Sequence, residues 1–218
     1  IGSFDGGAGM LQALGATFYD DEAQIVDMRK GADLIKYIRR IDLSGVHPQL
    51  AKVNIQLMSD FSSRLYGKKS EIMQTYESLE LSQNEAAEID NLIWYFSELF
   101  KNELKIAMGP IERGGAGGGI AAVLNSLYQA EILTSHELVN QITHLENLIQ
   151  QADLIIFGEG LKEEDQILET TTIRIAELTQ QYNKPAIAIC ATNDKFDLFE
   201  SLNVTAMFNT FIDMPDSY

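Results

Sequence analysis

The sequence predicts an α/β protein built around parallel strands, and three patterns predict it. From Ala152 onward, short apolar strands alternate with helical segments, the arrangement that builds a parallel sheet. Earlier in the chain, amphipathic segments open with capping residues. Glycine clusters stand where a loop or strand hands over to a helix: Asp5-Gly6-Gly7-Ala8-Gly9-Met10, Gly114-Gly115-Ala116-Gly117-Gly118-Gly119 and Gly158-Glu159-Gly160.

Taken in order, Asp5 is placed to cap a helix whose apolar face is Met10, Leu11 and Leu14 and which Gly15 closes. Residues 16–19 read as a strand, 31–38 as a helix and 44–48 as a turn. Residues 53–58 read as a buried strand that leads to Asp60. Ser82-Gln83-Asn84-Glu85 is a capping box opening a long helix through Ile89, Leu92, Ile93, Phe96, Leu99 and Phe100. A helix over 117–129 follows. Thr134 then caps another, which carries Leu138, Ile142, Leu145 and Leu148. Strands are expected at 154–157, 186–189 and 204–208, with helices at 167–182 and 195–202 between them. A domain boundary is expected near 150, giving a glycine-rich α/β domain over 1–150 and βα units over 151–218.

Composition narrows the function. The 218 residues are 45% hydrophobic and 22% charged, ordinary for a globular protein with a sizeable core. Thirty-two acids against 16 bases give a net charge of −16. Such a field argues against nucleic acid or an anionic membrane as partner without a basic stripe, and Arg39-Arg40 and Lys68-Lys69 are isolated pairs. The single Cys190 excludes an internal disulfide and, between apolar neighbours, reads as a core filler. No apolar run approaches a membrane span and no signal peptide is visible, so the cytoplasm is the expected location. The chain starts at Ile1, without Met, and stops at Tyr218 after a strand-like stretch; it reads as a fragment or as the ordered part of a longer protein.

Glycine at a helix start lets backbone N–H groups turn toward an anion, and the helix dipole favours negative charge there. Three such clusters point to phosphorylated or carboxylated small molecules. The same glycines equally serve tight turns or close helix–sheet contacts, and the motif alone leaves both readings open. Glu159, between two glycines straight after a buried strand, and Asp60 are candidates to hold Mg²⁺ or a substrate hydroxyl, or else are solvated acids. His47, His136 and His144 lack metal-ligand spacing and read as structural or surface residues.

Five segments carry a family resemblance: DGGAGMLQALG at 5–15, IDLSGVHPQL at 41–50, GGAGGGIAA at 114–122, ADLIIFGEG at 152–160 and YNKPAIAI at 182–189. In this order and spacing they resemble the bacterial glycerate kinases whose hallmark is D-L-V-I-T-G-E-G. The resemblance implies two α/β domains, with 151–218 as part of an incomplete flavodoxin-like second domain, and an active site in the cleft between them. It implies ATP- and Mg²⁺-dependent phosphorylation of D-glycerate or a related small hydroxy acid. A homodimer is an assembly state open to it. By the same resemblance, Asp5, Gly6, Gly7, Gly115, Ala116, Gly117, Gly118 and Gly158 bind substrate or phosphate with Arg64. Asp60, Glu159 and Asp165 are then the catalytic acids, and Asp60 and Glu159 the Mg²⁺ ligands.

The chain also departs from the family pattern. The segment before the first helix, Ile1-Gly2-Ser3-Phe4-Asp5, is short of a glycine and a threonine. The family's D-x-Q-T-x-x-G-K after G-E-G falls on Glu163, Asp165, Gln166, Glu169 and Thr170. Sliding by two residues recovers Asp165 but no Gly-Lys. The family's N-P-L-x-G is Ser63-Arg64-Leu65-Tyr66-Gly67, G-P-Q-K-G is absent near residues 77–81, and the N-terminal lysine-bearing loop lies outside the chain. Arg64 and Lys162 are the candidate replacement cations. Two functions follow: an ATP-dependent kinase of glycerate or a similar acid, or an inactive relative that keeps its anion cradles and works by binding or regulation.

Overall fold

Backbone satisfaction at helix ends organises much of the chain. A computed structural model describes residues 3–60, 62–159, 171–191 and 196–210. They fall into two compact units, Ile1–Ile132 and Leu133–Tyr218.

The first unit begins with α1 (Ala8–Ala13) and a two-stranded antiparallel pair, β1 (Thr17–Tyr19) with β2 (Arg40–Asp42), in which Phe18 opposes Ile41. The expected helix at 31–38 is a 3-10 turn, Ala32–Tyr37. The strand expected at 53–58 shortens to β3 (Gln56–Met58), and it is not buried: Val53 and Met58 are exposed. Then come α2 (Glu71–Thr75), α3 (Gln83–Leu104), α4 (Ile120–Tyr128) and β4 (Glu131–Leu133), which pairs with β3. The pairing includes the Glu131 N–H donating to the Ile55 carbonyl at 3.0 Å.

The long helix α3 explains the core. Its capping box forms as the sequence predicts: the Glu85 N–H donates to Ser82 Oγ at 3.3 Å, and the Ser82 N–H donates to Glu85 Oε2 at 2.8 Å. Ile93, Phe96 and Phe100 recur at helical spacing on one buried stripe. Phe96 lies edge-on to Phe18, with ring centroids 5.8 Å apart, and to Phe100 at 6.0 Å. Leu11, Val123 and Met108 close the same cluster.

The second unit opens with α5 (Ser135–Thr143) and α6 (Leu145–Gln151). The sequence pattern read these as one helix. The chain breaks at His144, whose backbone is left-handed (φ 53°), and the Glu146 N–H turns back to Asn140 Oδ1 at 3.1 Å. Next come β5 (Ile155–Glu159), α7 (Thr171–Gln181), β6 (Ala186–Cys190), α8 (Phe196–Ser201) and β7 (Ala206–Asn209). The three strands form a parallel sheet in the order β5-β6-β7. Phe157, Ala186, Ala188 and Cys190 face α7 and α8 through Ile173, Ala176 and Phe199. Cys190 is buried there, the core filler its neighbours suggest. Among the described residues, no helix is long and apolar enough to cross a membrane. The change of unit falls between residues 132 and 133, so α5 and α6 sit with the parallel sheet rather than with the glycine-rich part.

Phe96 is fully buried and central to the first unit's cluster. Phe96→Ala is expected to cost about 3–5 kcal/mol of that unit's stability, read as a lower urea midpoint at unchanged m-value.

Candidate functional site

The first two glycine clusters meet, backbone against backbone. The Gly6 N–H donates to the Gly118 carbonyl at 2.9 Å. A side chain on Gly118 would run into the Ser3 carbonyl, and one on Gly119 would stand 2.5 Å from Gly6 Cα. Both glycines also hold positive φ, so contact and conformation demand glycine together.

Asp5 is buried and its carboxylate binds amides at the start of α1, whose N-cap residue is Gly7. Its Oδ1 accepts from the Gly7 N–H at 2.9 Å and from Ser3 Oγ at 3.2 Å, and its Oδ2 accepts from the Gly9 N–H at 2.7 Å. The glycine run before α4 is satisfied in the same way. The Gly115 N–H donates to the Ser63 carbonyl at 3.2 Å and the Ala116 N–H to the Arg113 carbonyl at 3.0 Å. The Gly118 N–H donates to Glu71 Oε2, at the start of α2, at 3.1 Å.

These bonds concern the amides of Gly6, Gly7, Gly115, Ala116, Gly117 and Gly118, which the sequence expects to receive a bound anion. Five of the six already donate to protein oxygens, because buried backbone N–H groups must be paired and the two loops pair each other. Two of the acceptors are carboxylates, of Asp5 and Glu71, so the chain's own acids occupy positions an anionic ligand would take. Among the described residues, the half-exposed Gly117 N–H is the amide of this set without a partner.

Arg64, read as a phosphate-binding cation, is exposed, and its Nη1 donates to the Pro110 carbonyl at 3.2 Å. Arg113 was missed by the sequence reading. It immediately precedes the glycine run, is half-buried, and donates from Nη1 to the Ser59 carbonyl at 3.2 Å. A cation abutting a glycine run was the available signal. Ser63 Oγ, immediately before Arg64 in sequence, is buried without a partner. Asp60 is exposed and lies two residues beyond β3. Since β3 belongs to a two-stranded pair, the rule that ligands bind at the carboxyl ends of an open parallel sheet does not reach Asp60.

In the second unit the rule does apply. Glu159 is the last residue of β5, opposite Cys190 in the register, and Gly158 before it is exposed. A Cβ on Gly158 would meet only the Ile189 carbonyl, at 3.7 Å, so packing does not require glycine there. Asp165, Gly160, Lys162, Glu163 and Gln166 lie outside the described residues, as do Thr192, Asn193 and Asp194. A polar cleft of about 270 Å³ between Thr179, Lys184, Asn203 and Thr205 opens at the amino ends of β6 and β7, the wrong end of a parallel sheet for ligands. His47 accepts from the Gln49 N–H in a turn, and no three metal-ligating side chains cluster among the described residues.

Residues 2–216 match the model of the glycerate kinase family. The chain belongs to that family. It is 31% identical to a glycerate kinase of Halalkalibacterium halodurans over 86% of this chain and 49% of that protein. It is 29% identical to a glycerate 2-kinase of Escherichia coli K12 over 94% of this chain and 54% of that protein. A crystal structure assigned as glycerate kinase 2 of Salmonella typhimurium LT2 superposes with a TM-score of 0.77 at 28% identity, over 94% of this chain and 53% of the other. This glycerate kinase family member therefore spans about half the length of the relatives it matches.

Holding two amides at the start of α1, Asp5 has a testable signature. Asp5→Ala removes the acceptor of two N–H groups and is expected to cost about 1–2 kcal/mol, with Asp5→Asn retaining part of it. Thermal denaturation measures this; a variant as stable as the parent would show that Asp5 does not hold the loop. Glu71→Ala is expected to add affinity for inorganic phosphate, read by isothermal titration, since it releases the Gly118 N–H beside that of Gly117.

Proposed function

We propose that the protein acts in the ATP-dependent phosphorylation of D-glycerate or a related small hydroxy acid. The observation that carries this reading is the family match across nearly the whole chain. Phosphoryl transfer needs positioning and charge neutralisation more than covalent chemistry, so donors and metal-binding acids are the groups to look for. The Gly117 N–H and the Arg113 and Arg64 guanidiniums are the donors on the glycine-run side. Glu159, at the carboxyl end of β5, is a carboxylate we assign to Mg²⁺ or to the acceptor hydroxyl, and so, taken by itself, is Asp60. Magnesium characteristically takes one or two protein carboxylates and completes its shell with water and phosphate oxygens, so a single such acid suffices to hold it. When bound, the metal would neutralise charge on the transferred phosphoryl group. Asp165 remains the third proposed acid.

A specific observation favours the second reading, a relative that binds or regulates without turnover. Asp5 and Glu71 fill the amide positions of the glycine loops, and no Gly-Lys follows Gly158-Glu159-Gly160. A guanidinium or ammonium clamp lost from phosphoryl transfer costs on the order of 10³-fold or more.

A coupled ADP-release assay with D-glycerate and Mg²⁺-ATP separates the two. The 218-residue chain is expected to turn over at least ~10³-fold below the ordinary ~10 s⁻¹ of enzymes. Saturable binding of Mg²⁺-ATP or glycerate with no glycerate-dependent ADP release would decide for the binding reading, and no binding of either would overturn both. Asp60→Asn and Glu159→Gln are expected to weaken Mg²⁺-ATP binding by calorimetry while shifting stability by less than about 1 kcal/mol.

A further inference from the structure

The segment from Ser63 to Glu71 holds the glycine run before α4 from both of its ends. The Ser63 carbonyl accepts from the Gly115 N–H at 3.2 Å, and Glu71 Oε2 accepts from the Gly118 N–H at 3.1 Å. Between these ends the segment is braced internally. The Arg64 N–H donates to the Lys69 carbonyl and the Ser70 N–H to the Gly67 carbonyl, both at 2.8 Å. The Gly67 N–H reaches both oxygens of Asp90 on α3, at 3.0 and 2.8 Å. Bracing of the backbone fixes where Glu71 enters, so its side chain alone has to turn for the contact with Gly118 to open.

Among the described residues, two polar groups at this contact have no partner. One is the Gly117 N–H. The other is Ser63 Oγ. Ser63 is 1% exposed, and its hydroxyl lies against the run, 2.8 Å from where a Cβ on Gly115 would stand. A buried hydroxyl left unpaired is uncommon because its desolvation goes uncompensated, so it points to a partner from outside the chain.

The donors gathered here are neutral. Arg64 Nη1 donates to the Pro110 carbonyl and Arg113 Nη1 to the Ser59 carbonyl. Among the described residues Glu71 makes no ion pair. Amide and hydroxyl donors in a chain of net charge −16 suit a singly charged carboxylate better than a phosphate dianion, and a carboxylate is what Glu71 already places there.

We propose that Glu71 is an internal competitor for a carboxylate subsite made by the Gly117 and Gly118 N–H groups and the Ser63 hydroxyl. Its ligand group is the carboxylate of a small hydroxy acid, an assignment that rests on the acceptor of the kinase reading. In the ligand-free protein Glu71 closes the subsite. The acid enters by replacing Glu71 on the Gly118 N–H, and it also engages Gly117 and Ser63, which Glu71 leaves unused. Apparent affinity is then the intrinsic affinity scaled by the fraction of molecules in which Glu71 has turned away.

The test is calorimetry on the 218-residue chain without nucleotide, using D-glycerate and, as the same carbon skeleton without the carboxylate, glycerol. Glu71→Ala is expected to bind D-glycerate roughly tenfold more tightly than the parent, the effect of freeing a hydrogen bond held by a charged group. Glu71→Gln, which keeps the shape and loses the charge, is expected to fall between the two. Ser63→Ala added to Glu71→Ala should reverse most of the gain, and glycerol should respond to none of these changes. If a variant fails to fold, amide resonances of Gly117 and Gly118 in the unsubstituted chain decide: they are expected to move together with D-glycerate and to ignore glycerol. Equal D-glycerate affinity in the parent and Glu71→Ala overturns the proposal. So does a gain shared by glycerol, a gain that survives Ser63→Ala, or no D-glycerate binding by any of these proteins. The ADP-release assay separates this outcome from the kinase reading. Glycerate-dependent ADP release with no gain in Glu71→Ala sinks the competitor alone, and a carboxylate-specific gain without ADP release sinks turnover alone.

Discussion

The first unit depends on a contact between two pieces of bare backbone. Residues 3–7 and 114–119 approach so closely that the Gly6 N–H reaches the Gly118 carbonyl and no side chain fits between Gly119 and Gly6. This contact sets α1 beside α4, and α3 then seals the junction with Ile93 and Phe96, the side chains nearest Gly6. A glycine-rich sequence usually loses more entropy on ordering than others. Here the loss is offset by paired amides on both loops and by the aromatic cluster of Phe18, Phe96 and Phe100 beneath them.

That economy has a chemical consequence. Backbone amides gathered at a helix start make an anion site only while they remain unpaired. In this protein, which carries an excess of 16 acids over bases, the anions come from within: Asp5 takes two amides of α1 and Glu71 takes one of the run before α4. What remains for a ligand on that side is the Gly117 N–H, with Arg113 preceding the run and Arg64 next to Ser63, whose carbonyl binds Gly115. The donors are few and the surrounding field is negative, which weakens binding of a free polyanion more than binding of its Mg²⁺ complex.

The second unit shows a different constraint, that of topology. Three strands wound in one direction give an internally consistent half-sandwich: a closed face holding Phe157, Phe199 and Cys190, and an open one holding Ile156 and Phe208. Nothing local is wrong with those exposed side chains as strand formers, since β-branched and aromatic residues suit a pleated surface. Their exposure accords with the handedness of the crossovers, which puts α7 and α8 on the other face.

By itself the sequence determined what local chemistry and period can express. The Ser82–Glu85 and Thr134–Glu137 capping boxes, the buried stripe of α3 and the alternation of strands and helices after residue 152 all repeat at short range, where one residue's side chain meets the next turn's backbone. Five ordered segments likewise carried the family, which the match over residues 2–216 shows. Tertiary structure decided the rest. Three-residue strands such as β2 and β4 have too few positions to show a period of two, and exist because a partner strand lies alongside. The break at His144 follows from the Asn140–Glu146 bond, and neither residue announces it. Above all, a glycine cluster written as Gly-Gly-Ala-Gly-Gly-Gly looks the same whether its amides face a ligand or a carboxylate of the chain. Which of the two it meets depends on Glu71, more than 40 residues away, and only folding brings that acid to Gly118.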